Sequence, residues 1–187
     1  EGDFILDIGC NDGTLLDSYE EGKYNRVGID PVAIKYLESY DKDIKVVTDF
    51  FTKKNYFSVA SEKAKIVTSI SMFYDLENPV SFAKEVASVL AEDGIWVIEQ
   101  SYLPAMLRQN SYDTICHEHL EYYSLTAVNF ILKQAGLTLI DASQNEVNGG
   151  SVRLAAVHKK SSLTSKISPE AIWLIEQEKN HDIHSDN

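Results

Sequence analysis

Phe4-Ile5-Leu6-Asp7-Ile8-Gly9-Cys10-Asn11-Asp12-Gly13 is the stretch on which the fold turns. Residues 4–8 are apolar except for Asp7 and read as a buried strand. The loop that follows has glycine at 9 and 13, and a helix is predicted over 13–20. A strand that runs through a glycine loop into a helix opens an α/β sheet, and in such sheets ligands bind beyond the carboxyl ends of the strands.

The rest of the chain continues that alternation. Strands are predicted over 26–30, 44–48, 65–70 and 95–100. One helix is predicted from Pro31, a favourable first helical residue, to about residue 40. Another starts at the Asn78-Pro79 cap signal and stops at Gly94. A polar, aromatic stretch over 101–123 then precedes a helix from near Ser124 to Gly136. Residues 137–143 and 151–158 are two more strands, joined through Asn148-Gly149-Gly150. So short a link forces an antiparallel pair, because a parallel one needs a crossover. The prediction is a mostly parallel α/β sheet, covered on both faces, with an antiparallel last strand. It occupies residues 1–158, and residues 159–187 form a polar tail or linker with one helix over 169–179.

Composition limits the function. The 187 residues include 17 Lys and Arg against 29 Asp and Glu, a net charge of −12. General nucleic-acid binding and attachment to anionic membranes both need a basic surface, so neither is expected. Hydrophobic residues at 44% and charged residues at 25% describe a packed globular chain, not a disordered one. Two cysteines, Cys10 and Cys116, build neither a disulfide framework nor a four-cysteine zinc site. No apolar run approaches the ~18 residues of a membrane span, and no signal-peptide pattern opens the chain, which reads as cytoplasmic.

The glycine loop selects among cofactors. A dinucleotide fingerprint needs glycine at 9, 11 and 14, and Asn11 and Thr14 break it. Asp12 adds negative charge where a pyrophosphate would lie. A cofactor without phosphate, carrying a sulfonium and an ammonium, fits better. Asp7 can accept from the ammonium, Gly9 and Gly13 allow close approach, and Asn11 tolerates the left-handed conformation. Asp30, with Pro31 after it, ends the second strand and suits ribose hydroxyls. Asp49-Phe50 ends the third and suits adenine, and Ser71 follows the fourth. The alternative is that these are only turn and cap residues. Acids at three consecutive strand ends favour S-adenosylmethionine.

Beyond the fifth strand lies the most unusual stretch, Tyr112-Asp113-Thr114-Ile115-Cys116-His117-Glu118-His119, then Leu120-Glu121-Tyr122-Tyr123-Ser124. An imidazole beside a carboxylate is an oriented base. The bland alternative is a hydrogen-bonded pair that shapes a loop. Zinc on Cys116, His117 and His119 is disfavoured, since no second ligand cluster or HExxH spacing supports it, and no metal is expected.

From Phe4 to His158 the arrangement resembles the class I S-adenosylmethionine-dependent methyltransferases, which implies a seven-stranded Rossmann-like sheet. The His117-Glu118-His119 run with Tyr122 and Ser124, and Asn148-Gly149-Gly150-Ser151-Val152-Arg153, resemble the sugar C-methyltransferases. That family methylates nucleotide-linked 4-keto-deoxysugars at the carbon beside the ketone. The resemblance implies His119 as the base with Glu118 beside it, and a donor for the developing enolate from Tyr74, Tyr122 or His117. The acceptor is expected at Asn148, Gly149, Gly150 and Arg153, with Arg153 and Arg108 as partners for a diphosphate. The family carries a tyrosine where this chain has Cys116, and often a histidine near Ser71-Met72-Phe73-Tyr74. Its full-length members carry a zinc-binding domain before the core and an α/β domain after it. A chain that opens on Glu1, three residues before a strand, is therefore expected to be a piece of a longer protein. The alternatives are O- or N-methylation of another small molecule, or a module that binds the cofactor without catalysis. The tail histidines His181 and His184 read as unstructured and are assigned no role.

Overall fold

Every residue of β1 (Phe4–Ile8) is buried, in a computed structural model that describes residues 2–112, 114–165 and 167–183. Successive side chains of a strand point to opposite faces, and β1 feeds two cores in this way. Phe4, Leu6 and Ile8 enter the main core, while Ile5 joins Cys10, Leu16, Ala33, Tyr40 and Ile44 on the other face. The other strands are β2 (Asn25–Ile29), β3 (Lys45–Val47), β4 (Ala64–Ile70), β5 (Leu90–Ser101), β6 (Leu137–Asn145) and β7 (Ser151–His158). They form a seven-stranded sheet in the order β3-β2-β1-β4-β5-β7-β6. The first five strands pair in parallel, and β7 lies antiparallel to both β5 and β6. The predicted fold class is thus observed.

Among the described residues six α-helices accompany the strands: α1 (Thr14–Asp17), α2 (Lys53–Phe57), α3 (Pro79–Val89), α4 (Leu103–Gln109), α5 (Leu125–Gln134) and α6 (Pro169–Asn180). Three of the predicted helices differ from the sequence reading. The first helix stops at Asp17 because the buried Arg26 guanidinium donates to the carbonyls of Leu16 and Tyr19, which a longer helix would use itself. The helix predicted over 31–40 is only a 3-10 turn, Pro31–Lys35. Its apolar residues Val32, Ile34 and Leu37 face solvent, so no buried stripe rewards a longer helix. Gly94 does not stop α3, which ends at Val89. It lies within β5, where a Cβ would come 2.9 Å from the Ala64 carbonyl oxygen and 2.8 Å from Leu90 Cδ1. The stretch over 101–123 contains α4, with Pro104 in its first turn.

The tail helix α6 packs on the sheet domain. Ala171 and Leu174 belong to the main core. Glu178, 1% exposed, accepts from the Tyr102 hydroxyl at 2.7 Å and from the N–H groups of Leu125 and Thr126 at 2.7 and 2.8 Å. The carboxylate therefore ties α6 to the first turn of α5 and to the residue that leads into α4. No helix of the described residues is long and apolar enough to cross a membrane.

Candidate active site

The loop after β1 turns through three left-handed residues, Gly9 (φ 79), Asn11 (φ 48) and Gly13 (φ 87). Each has its own partner. Gly9 N–H donates to Ile29 O at 3.0 Å, and Asn11 N–H donates to Asp30 Oδ2 at 2.8 Å. Gly13 N–H donates to Cys10 O at 2.8 Å, and its missing side chain makes room for Tyr40, whose ring would lie 2.6 Å from a Cβ there. The Tyr40 hydroxyl donates to Asn11 O at 2.7 Å and stands 3.1 Å from Cys10 Sγ. Burial pushes the Cys10 thiol up to about 12, so it stays protonated. Asp12 is solvent-facing and accepts from the N–H and hydroxyl of Thr14 at the start of α1, which holds its carboxyl below the usual range.

An open cleft of about 1230 Å³ runs from this loop across the carboxyl ends of β1, β4 and β5. Its walls include the predicted residues Asp7, Gly9, Asn11, Asp12, Asp30, Pro31, Phe50, Ser71 and Arg153. Asp7 is buried beside Thr68, its neighbour on β4, whose hydroxyl it accepts. Burial lifts its carboxyl to about 6, the Thr68 hydrogen bond opposes the rise and the charge of Asp30 adds to it. Asp30 spends one oxygen on Asn11 N–H and the other on Val32 N–H, at 2.7 Å. Each carboxylate oxygen keeps a further acceptor site. Phe50 is 73% exposed, an aromatic face free to stack.

The remaining predicted residues lie outside the cleft wall. Gly13 faces Tyr40. Asp49 is exposed and holds Phe50 N–H and the Asn55 amide. Asn148, Gly149 and Gly150 form the left-handed turn between β6 and β7, and Gly150 is glycine because Ala105 of α4 would stand 2.7 Å from a Cβ. Arg108 lines a separate groove between α4 and α6. His117 and Glu118 are exposed.

His119 is half-buried, its ring 4.2 Å from that of Tyr74 and 6.4 Å from that of Tyr122. The segment is registered there by its backbone, since the N–H groups of Leu120 and Glu121 both donate to Tyr74 O, at 3.0 and 3.1 Å. Burial raises the Tyr74 hydroxyl, against a hydrogen bond from the Ser71 side chain. The Tyr122 hydroxyl is buried with no hydrogen-bond partner among the described residues. Four residues escaped the sequence reading: Thr68, Tyr40, Glu99 and Asp75. Thr68 was accessible in principle, because it faces Asp7 once the two strands are paired in register. His181 caps the end of α6, while Asp113 and His184 lie outside the described residues. Among the described residues, no group of three or more His, Cys, Asp or Glu side chains converges as a metal site would.

Five acids line the cleft, Asp7, Asp12, Asp30, Asp75 and Glu99, against one arginine, Arg153. No ion pair among the described residues neutralises Asp7 or Asp30. A buried carboxyl lifted to about 6 without a cation beside it fits a positively charged ligand and disfavours a pyrophosphate. This sheet and this cleft define a domain of the S-adenosylmethionine-dependent methyltransferase class. A family model described as a methyltransferase domain matches residues 1–142, and the chain belongs to that family. It is 28% identical to C-methyltransferase NovU of Streptomyces niveus over 154 residues, covering 81% of this chain and 37% of NovU. It is 26% identical over 163 residues to a ubiquinone biosynthesis O-methyltransferase of Hydrogenovibrio crunogenus, covering 79% of this chain and 67% of that protein. LepI, solved in complex with S-adenosylmethionine, shares the fold with a TM-score of 0.66 at 14% identity, over 84% of this chain and 43% of LepI.

Proposed function

We propose that the protein transfers a methyl group from S-adenosylmethionine to carbon, on a nucleotide-linked ketodeoxysugar. The observation that carries this reading is the docking of His119 on Tyr74 at the end of β4, beside the cofactor cleft. The likeness to NovU supports the same acceptor chemistry. When bound, S-adenosylmethionine supplies an electrophilic methyl group on a positively charged sulfur. Asp7 would accept from its ammonium and Asp30 from the ribose hydroxyls. Phe50 would cover the adenine.

An oxygen nucleophile needs only a nearby base, but a carbon nucleophile must first be made by removing a proton beside the ketone. A ring nitrogen of His119 takes that proton. The enolate oxygen needs a donor, and Tyr122 would supply it once its hydroxyl turns toward the acceptor, since that hydroxyl has no hydrogen-bond partner among the described residues. Arg153, the one basic residue on the cleft wall, receives the diphosphate. Asn148, Gly149 and Gly150 act indirectly, by shaping the turn that enters β7.

The test follows solvent deuterium into thymidine diphosphate 4-keto-6-deoxyglucose at the carbon beside the ketone. Exchange is expected with the wild type, falling by about 10²–10⁴-fold in His119→Ala and persisting in His117→Ala. Methyl transfer without exchange, with the methyl group found on oxygen, would replace this reading by O-methylation, the chemistry named for the Hydrogenovibrio relative.

A further inference from the structure

Glu118 adjoins His119 in sequence, yet another carboxylate is better placed. Asp75 closes the 3-10 turn Phe73–Asp75, immediately after the residue that docks the acceptor segment, and it lines the cleft, as Glu118 does not. Two backbone bonds to Tyr74 O and the ring contact at 4.2 Å fix His119 against the same turn. Asp75 thus belongs to the same turn on which His119 docks, and it reaches the cleft. Of the titratable groups around the imidazole, Cys116, His117, Glu118, Glu121 and Tyr122 come from its own segment, and Tyr74 and Asp75 from the turn beneath it.

We propose, resting on the carbon-methylation reading, that Asp75 is the carboxylate partner of His119, a positioning residue that holds the imidazolium formed during proton removal. In that step the acceptor C–H bond breaks and its electron pair moves into the carbonyl to give an enolate. The proton binds a ring nitrogen of His119, which becomes a cation facing Asp75. Burial raises the Asp75 carboxyl, the imidazole of His119 opposes the rise and Glu118 adds to it. No ion pair joins Asp75 to His119 among the described residues, so the coupling acts at longer range than a direct contact. It strengthens when an acceptor displaces water from the cleft and lowers the local dielectric.

Two measurements test this, one of them independent of any acceptor. The His119 ring signals are followed by NMR across pH in the wild type, Asp75→Asn and Glu118→Gln. Asp75→Asn is expected to move the titration midpoint to lower pH, and by more than Glu118→Gln does. The reverse order overturns the proposal. Deuterium exchange into thymidine diphosphate 4-keto-6-deoxyglucose is then run as a double-mutant cycle. Asp75→Asn should slow exchange by about tenfold, Asp75→Glu should recover part of the loss, and Asp75→Asn should add no further loss in a His119→Ala background. A full additional loss in that background overturns the proposal, because Asp75 would then act independently of His119. If the wild type shows no exchange but the NMR order holds, the carbon-methylation reading fails and the Asp75–His119 pairing stands.

Discussion

Asp7 enters the sheet beside Thr68 and within the field of Asp30, and burial is the main reason its carboxyl rises from 3.8 to about 6. A carboxyl with a raised pKa in the folded state binds its proton more tightly there than in the unfolded chain. The free protein therefore loses stability as pH rises from about 4 to about 6, and carries the full penalty above that. The rise corresponds to on the order of 3 kcal/mol at neutral pH. An amide can still accept from Thr68 without carrying the charge. Asp7→Asn is accordingly expected to raise the melting temperature of the free protein at pH 7.5, to leave it little changed at pH 4, and to abolish cofactor binding. Thermal denaturation at the two pH values with calorimetric titration checks all three. A variant less stable than wild type at pH 7.5 would remove Asp7 from the role of a strained cofactor ligand.

At the scale of elements, Glu178 carries the heaviest load in α6. Its oxygens satisfy two N–H groups at the start of α5, where a negative charge also complements the helix dipole, and the Tyr102 hydroxyl beyond β5. Glu178→Ala strands two buried donors and one half-buried donor and should cost about 2–4 kcal/mol in urea unfolding, with Glu178→Gln losing less. A loss near zero would mean that α6 does not stabilise the sheet domain. The sequence disclosed strands better than helices. β1 and β7 have the predicted bounds because a buried strand is a continuous apolar run and a turn such as Asn148-Gly149-Gly150 punctuates it. The helices after β1 and β2 were overextended because what shortens them is remote. Arg26 takes the carbonyls of the first, and Tyr40 turns inward to brace the loop where the second would have run on. The same distance hid part of the site. Asp7 and Asp30 announce themselves at strand ends, but the pairing of Asp7 with Thr68 spans 61 positions and appears only with the register of β1 on β4. The register of His119 on Tyr74 depends on two backbone bonds that no side-chain pattern encodes.

Over the whole molecule a net charge of −12 surrounds a cleft with five acids and one arginine on its walls, so the field there favours cations. S-adenosylmethionine carries a sulfonium and an ammonium against one carboxylate, whereas its product S-adenosylhomocysteine lacks the sulfonium and is neutral overall. Each uncompensated acid about 10 Å from the sulfur contributes ~0.4 kcal/mol in water. At 0.1 M salt the Debye length of about 10 Å screens more than half of that. Raising the salt from 10 mM to 300 mM should therefore weaken S-adenosylmethionine binding by about three- to tenfold and leave S-adenosylhomocysteine binding nearly unchanged, as read by calorimetric titration. The nucleotide sugar proposed as acceptor carries the opposite charge, and the same field repels it except at Arg153. Its apparent affinity should then improve as salt screens the molecule, and Arg153→Ala should reduce affinity at every salt concentration. Equal salt responses for the two cofactor forms would mean that the acids act only through direct contacts, and the preference for a cationic ligand would then rest on Asp7 and Asp30 alone.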